Sequence, residues 1–127
     1  MPILLQVALG GAVGAALRYL SVAFMVRRLG TDFPHGTLFV NVVGSLAMGI
    51  VAGIVASRLE LGSDRWAAFL MPGLLGGFTT FSAFSLDTVL LLEKGRFLHA
   101  GGYMIGSVIL SVGALFAGLM MVRAVTP

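Results

Sequence analysis

Four long apolar stretches alternate with short polar ones along the chain, at residues 3–26, 37–57, 67–92 and 98–122. A helix needs about 20 apolar residues to cross a bilayer, and each stretch is long enough. The separators are short and rich in turn signals. Gly30, Asp32, Pro34, His35 and Gly36 mark the first, Glu60, Gly62, Ser63 and Asp64 the second, and Lys94, Gly95 and Arg96 the third. Trp66 immediately precedes the third stretch, where an interfacial indole is expected. The pattern predicts an all-α integral membrane protein, with residues 1–127 forming a single four-helix membrane domain and the lipid bilayer as its solvent.

Polar and small residues inside these stretches recur at helical spacing. In span 1, Gly10, Gly14 and Arg18 are four residues apart. Small residues on one face allow close helix approach. Arg18 lies well inside the span, and an intramembrane arginine must face protein or water. Two roles fit it: a structural cation paired to backbone carbonyls, or a source of positive potential beside an anion path. In span 2, Asn41, Ser45, Gly49 and Gly53 share a face, and in span 4 Tyr103, Ser107 and Ser111 do the same. Such stripes serve as helix-packing glue or as ladders of hydrogen-bond donors along an ion path.

Span 3 departs most from the pattern of a plain apolar helix. Its stretch 71–85 carries Pro72, Gly73, Gly76, Gly77, Thr79, Thr80, Ser82 and Ser85. Proline lacks a backbone donor, and glycine and threonine are poor helix formers. The helix is expected to break near Gly76–Thr80, opening around the Gly76-Gly77 pair. Within lipid, irregular backbone is tolerated only where protein buries it or where it lines a wet cavity, so a break marks a site. Phe78, Phe81 and Phe84 follow at three-residue spacing and would share a face of the resumed helix. Asp87, near the span's end, is expected to be solvated at the interface.

Composition sharpens this picture. The chain is 58% hydrophobic and 10% charged, against about 25% charged in soluble domains. The formal charge of +3 needs no nucleic-acid partner, because most basic residues flank the spans and suit lipid headgroups. The absence of cysteine excludes thiolate chemistry, and no carboxylate spacing around His35 and His99 supports a zinc site. Arg58, Arg65 and Arg123 fall on one side of a four-span topology, and Arg27, Arg28, Lys94 and Arg96 on the other. So slight a bias fits insertion in both orientations, with opposed copies pairing about an axis in the membrane plane.

No carboxylate sits mid-span, which argues against a cation pore. Asn41, Thr79, Thr80, Ser82, Tyr103, Ser107 and Ser111 supply donors, Arg18 supplies positive charge, and phenylalanine ring edges are weakly positive. That set suits an anion. The carbonyls of a broken helix suit a small cation instead.

The stretches GGAVGAALRY in span 1, FVNVVGSLAMG in span 2 and GLLGGFTTFSAFSLD in span 3, together with the span 4 ladder, resemble the CrcB/Fluc fluoride channels over essentially the whole chain. The resemblance implies an antiparallel dual-topology homodimer with two parallel fluoride pores in the cytoplasmic (inner) membrane, passively exporting fluoride and giving fluoride resistance. It implies that Phe81 and Phe84 line the pore with Asn41, and that Tyr103, Ser107, Ser111, Thr37 and Thr80 form the polar track. It implies that the Gly76 and Thr79 carbonyls of both subunits hold a structural Na+ at the dimer centre. Arg18 matches an arginine near the pore vestibule. Where the family often has threonine this chain has Ala83, and where it often has glutamate it has Asp87. The alternative is a small multidrug-type dual-topology exporter, which should carry a glutamate in the middle of span 1; none is there. No Ser/Lys, His/Asp or paired-carboxylate arrangement is visible, so no catalytic residue is assigned and no enzyme is expected.

Overall fold

A computed structural model describes residues 2–58 and 64–126. Among them every regular element is helical. Helix α1 spans Ile3–Leu29 and α2 spans His35–Ser57. The third span is composite: α3 (Asp64–Ala68), a π-helical segment (Phe69–Leu75), α4 (Gly76–Phe78) and α5 (Phe81–Glu93). Helix α6 spans Phe97–Val125. Four helices are thus long and apolar enough to cross a membrane. Only 11% to 22% of their most apolar windows is buried within the chain, which fits side chains facing lipid. The helices overrun the apolar spans by up to three residues, since helix continues into the interface beyond the last apolar position. Of the second connection, Glu60, Gly62 and Ser63 lie outside the described residues.

Two tight turns depend on glycine. Gly30 ends α1 at φ 80° and Gly95 ends α5 at φ 75°, a region that side chains disfavour. At Gly95 the turn closes with two bonds, Gly95 N–H to the Leu92 carbonyl at 3.0 Å and Arg96 N–H to the Leu91 carbonyl at 2.9 Å. This is the double-bonded helix C-terminus that satisfies two otherwise orphaned carbonyls.

Helix packing divides the molecule into two pairs. Helix α1 lies against the first half of the third span, and α2 lies against α6. Both seams rest on glycine. A Cβ at Gly14 would run into the Leu74 carbonyl oxygen, and one at Gly49 into the Leu115 carbonyl oxygen. Without a strong hydrophobic drive between helices in lipid, such close backbone contact supplies the attraction. The first half of the third span stays with α1, whereas α5 packs on α6, where Leu91, Ala100 and Tyr103 are buried together. The chain changes partners at Thr79 and Thr80.

Candidate functional site

Around Pro72 the helix widens into π geometry, a feature the sequence reading did not foresee. Pro72 has no N–H to donate, and a register of five residues accommodates the missing bond. The Gly76-Gly77 pair, expected to be the opening, is helical. Extended backbone appears two residues later, with Thr79 at φ −87°, ψ 157° and Thr80 at φ −153°, ψ 122°. Phe78 therefore precedes these residues and does not share a face with Phe81 and Phe84. It lies instead beside Gly44 of α2.

The backbone groups here find partners individually. Thr79 N–H keeps its helical bond to the Leu75 carbonyl at 3.0 Å, and the Thr79 hydroxyl donates to the same oxygen at 2.9 Å. Thr80 N–H donates to Asn41 Oδ1 at 2.8 Å, and Asn41 Nδ2 donates to the Thr80 carbonyl at 3.0 Å. Thr80 Oγ1 accepts from Ala83 N–H at 3.1 Å, capping the start of α5. Arg18 Nε donates to the Gly77 carbonyl at 3.1 Å. Two helices thus serve one short stretch, α1 through Arg18 and α2 through Asn41.

Beside this stretch runs an open groove of about 380 Å³, lined by residues that include Asn41, Thr79, Thr80, Phe81, Phe84, Ser107 and Ser111. Seven residues expected to act at the site, from three different spans, are thus brought together. The Phe81 and Phe84 ring centroids are 5.5 Å apart and tilted by 55°. Phe84 continues the aromatic contact to Tyr103 at 5.1 Å, and Phe33 meets Tyr103 edge-on at 5.5 Å. Phe81 is 78% exposed, so its ring is held by little within one chain. The Ser107 and Ser111 hydroxyl oxygens are buried and have no hydrogen-bond partner among the described residues. A buried polar atom without a partner is uncommon and calls for an explanation. Among the groove residues there is no carboxylate and no charged side chain.

The remaining expected residues lie elsewhere. Thr37 is buried and lines a second cavity, of about 180 Å³, with Phe33, His35, Asp87 and Lys94. Tyr103 is buried behind Phe84 and donates its hydroxyl to Asp87 Oδ2 at 3.1 Å. Asp87, expected to be solvated near the interface, is half-buried at that cavity and also accepts from a side chain of another helix. Spacing along one helix could not reveal a partner on α6. Arg18 does not line the groove.

The model of the family described as CrcB-like protein, Camphor Resistance (CrcB), matches residues 5–119. The chain belongs to the CrcB family. It is 52% identical over 122 residues to the fluoride-specific ion channel FluC of Nitrobacter winogradskyi, covering 96% of each chain. It is 54% identical over 119 residues to the FluC of Paracoccus denitrificans, covering 94% of this chain and 93% of the relative. The FluC of Rhodospirillum centenum is 50% identical over 123 residues, 97% of each chain. Membership in CrcB, whose relatives are named as channels, leaves the small multidrug exporter without support.

Proposed function

We propose that this CrcB protein is a fluoride-selective channel, not an enzyme, that exports F− passively across the cytoplasmic membrane and so confers fluoride resistance. One observation in the site carries the reading: a groove with donors and aromatic edges, free of carboxylates, in which two buried serine hydroxyls have no partner among the described residues. Hydroxyl and amide donors can replace the water around a small anion one step at a time. Phenylalanine edges add weak positive potential without a deep well that would slow exit. A negative-inside potential drives the anion outward by about 2.3 kcal/mol per 100 mV. In this reading F− passes Phe81, Phe84, Asn41, Ser107 and Ser111, with Thr37, Thr80 and Tyr103 continuing the track and Arg18 supporting it from α1.

The working unit in this proposal is a homodimer of oppositely oriented copies. The near balance of flanking charge supports it, as does a groove that is open on one side with Phe81 largely exposed. A structural Na+ belongs to the same reading. The extended backbone at Thr79 and Thr80 supplies oxygen donors that suit a hard monovalent cation, and Thr80 N–H no longer donates to the Gly76 carbonyl. The Gly76 and Thr79 carbonyls of two copies would hold the ion, whose positive charge would fix the two interrupted spans against each other.

Liposomes loaded with fluoride or chloride and carrying the purified protein test the proposal. Rapid fluoride efflux with little chloride efflux is expected. Equal efflux of both, or none above protein-free liposomes, refutes it. Cysteine-accessibility labelling of loop positions tests the dimer, and a single orientation in the membrane would overturn it.

A further inference from the structure

In a continuous helix Thr80 N–H would donate to the carbonyl four residues back, that of Gly76. Here it donates to Asn41 Oδ1 at 2.8 Å. Thr79 N–H, one residue earlier, still holds its helical acceptor, the Leu75 carbonyl, at 3.0 Å. The helical ladder therefore stops at the residue whose N–H Asn41 takes. Asn41 also donates Nδ2 to the Thr80 carbonyl at 3.0 Å, so its amide pairs with both polar groups of one residue. Its one acceptor atom and one of its two donors are thereby committed to backbone. In a membrane, an unsatisfied N–H strongly favours any acceptor within reach, and the Gly76 carbonyl is the natural competitor.

We infer that Asn41 is a positioning residue: by taking the Thr80 N–H it stops the helix at Thr79 and leaves the Gly76 carbonyl oxygen available to a small cation. This rests on the sodium reading proposed above. Asn41 does not touch the cation; it acts by removing the donor that would otherwise occupy Gly76. The chemistry required at position 41 is then an acceptor first and a donor second. Asn41→Asp keeps an oxygen for the Thr80 N–H and loses the bond to the Thr80 carbonyl. Asn41→Ala loses both and lets the N–H return to Gly76.

The test is the thermal stability of the purified protein in detergent, in N-methylglucamine chloride and in sodium chloride at equal ionic strength. A ligand that binds only the folded state raises Tm, and for the parent a rise on the order of 5 °C is expected in sodium. Asn41→Ala should show no rise. Asn41→Asp should retain it, and so should Ser107→Ala, which alters the groove and leaves the Thr79–Thr80 stretch intact. If the parent shows no rise, the sodium reading fails and the role of Asn41 fails with it. If the parent and Asn41→Ala rise equally, sodium binds but Asn41 does not prepare its site. Should Asn41→Ala not be recovered folded, Asn41→Asp decides: loss of the sodium-dependent rise in that variant overturns the inference.

Discussion

Arg18 Nε donates to the Gly77 carbonyl at 3.1 Å, joining residues 59 positions apart. In an unbroken helix that carbonyl would accept from Phe81 N–H, but Phe81 begins a separate helix. The guanidinium thus replaces a lost backbone donor and places a cation near the last turn of α4, where the helix dipole is negative. The bond fits the structural one of the two roles open to an intramembrane arginine.

Removing it should be costly. Arg18→Ala leaves a partly buried carbonyl without a donor, a loss of about 1–3 kcal/mol. Lysine lacks the planar fork and should restore only part of this. Denaturation in detergent measures both variants. An Arg18→Ala protein that unfolds with the parent would show that the bond contributes nothing.

Phe81 and Phe84 should separate conduction from stability in different degrees. Phe81 is largely exposed in one chain, so Phe81→Ile should cut fluoride flux with little effect on monomer stability. Phe84 contacts both Phe81 and Tyr103, so Phe84→Ile should also lose about 1 kcal/mol of aromatic contact. Flux from liposomes and thermal melts, read on the same preparations, check the pair. Parental flux in either folded variant would remove that ring from the path.

Ser107→Ala and Ser111→Ala remove buried hydroxyls that have no partner among the described residues. Folding loses no internal hydrogen bond, and alanine is the better helix former. Stability should change by less than about 1 kcal/mol, in the direction of the variant, while fluoride flux falls. A marked drop in Tm with flux intact would show instead that the hydroxyls serve packing.

Gly14→Ala and Gly49→Ala should be among the most damaging single-methyl additions. Each new Cβ would meet a backbone carbonyl of a facing helix, which cannot rotate away as a side chain can. A cost of about 1–3 kcal/mol is expected from such overpacking. At Gly101 and Gly102 the space is open within the chain, so alanine there should leave the monomer's stability near that of the parent. Comparing the four variants in one denaturation series tests the packing directly.

The sequence by itself determined the membrane class, the four spans and the short connections, because the length of an apolar run and its turn signals are local properties. It also singled out the third span as the one expected to depart from a regular helix, since Pro72, Gly76, Gly77 and the threonines all disfavour one. Family membership was legible as well, in the third-span motif and the polar stripes. Tertiary structure decided where the ladder stops. Local propensity pointed at Gly76-Gly77, but both glycines remain helical, since a low helix propensity lowers stability without itself ending a helix. Thr79 and Thr80 became extended where Asn41 and Arg18, carried on α2 and α1, take the backbone groups of Thr80 and Gly77. The bond between Tyr103 and Asp87 was equally out of reach of spacing rules, because it joins two helices. Periodicity assigns residues to faces of one helix; which face meets which, and which donor captures an orphaned carbonyl, is set only when the helices pack.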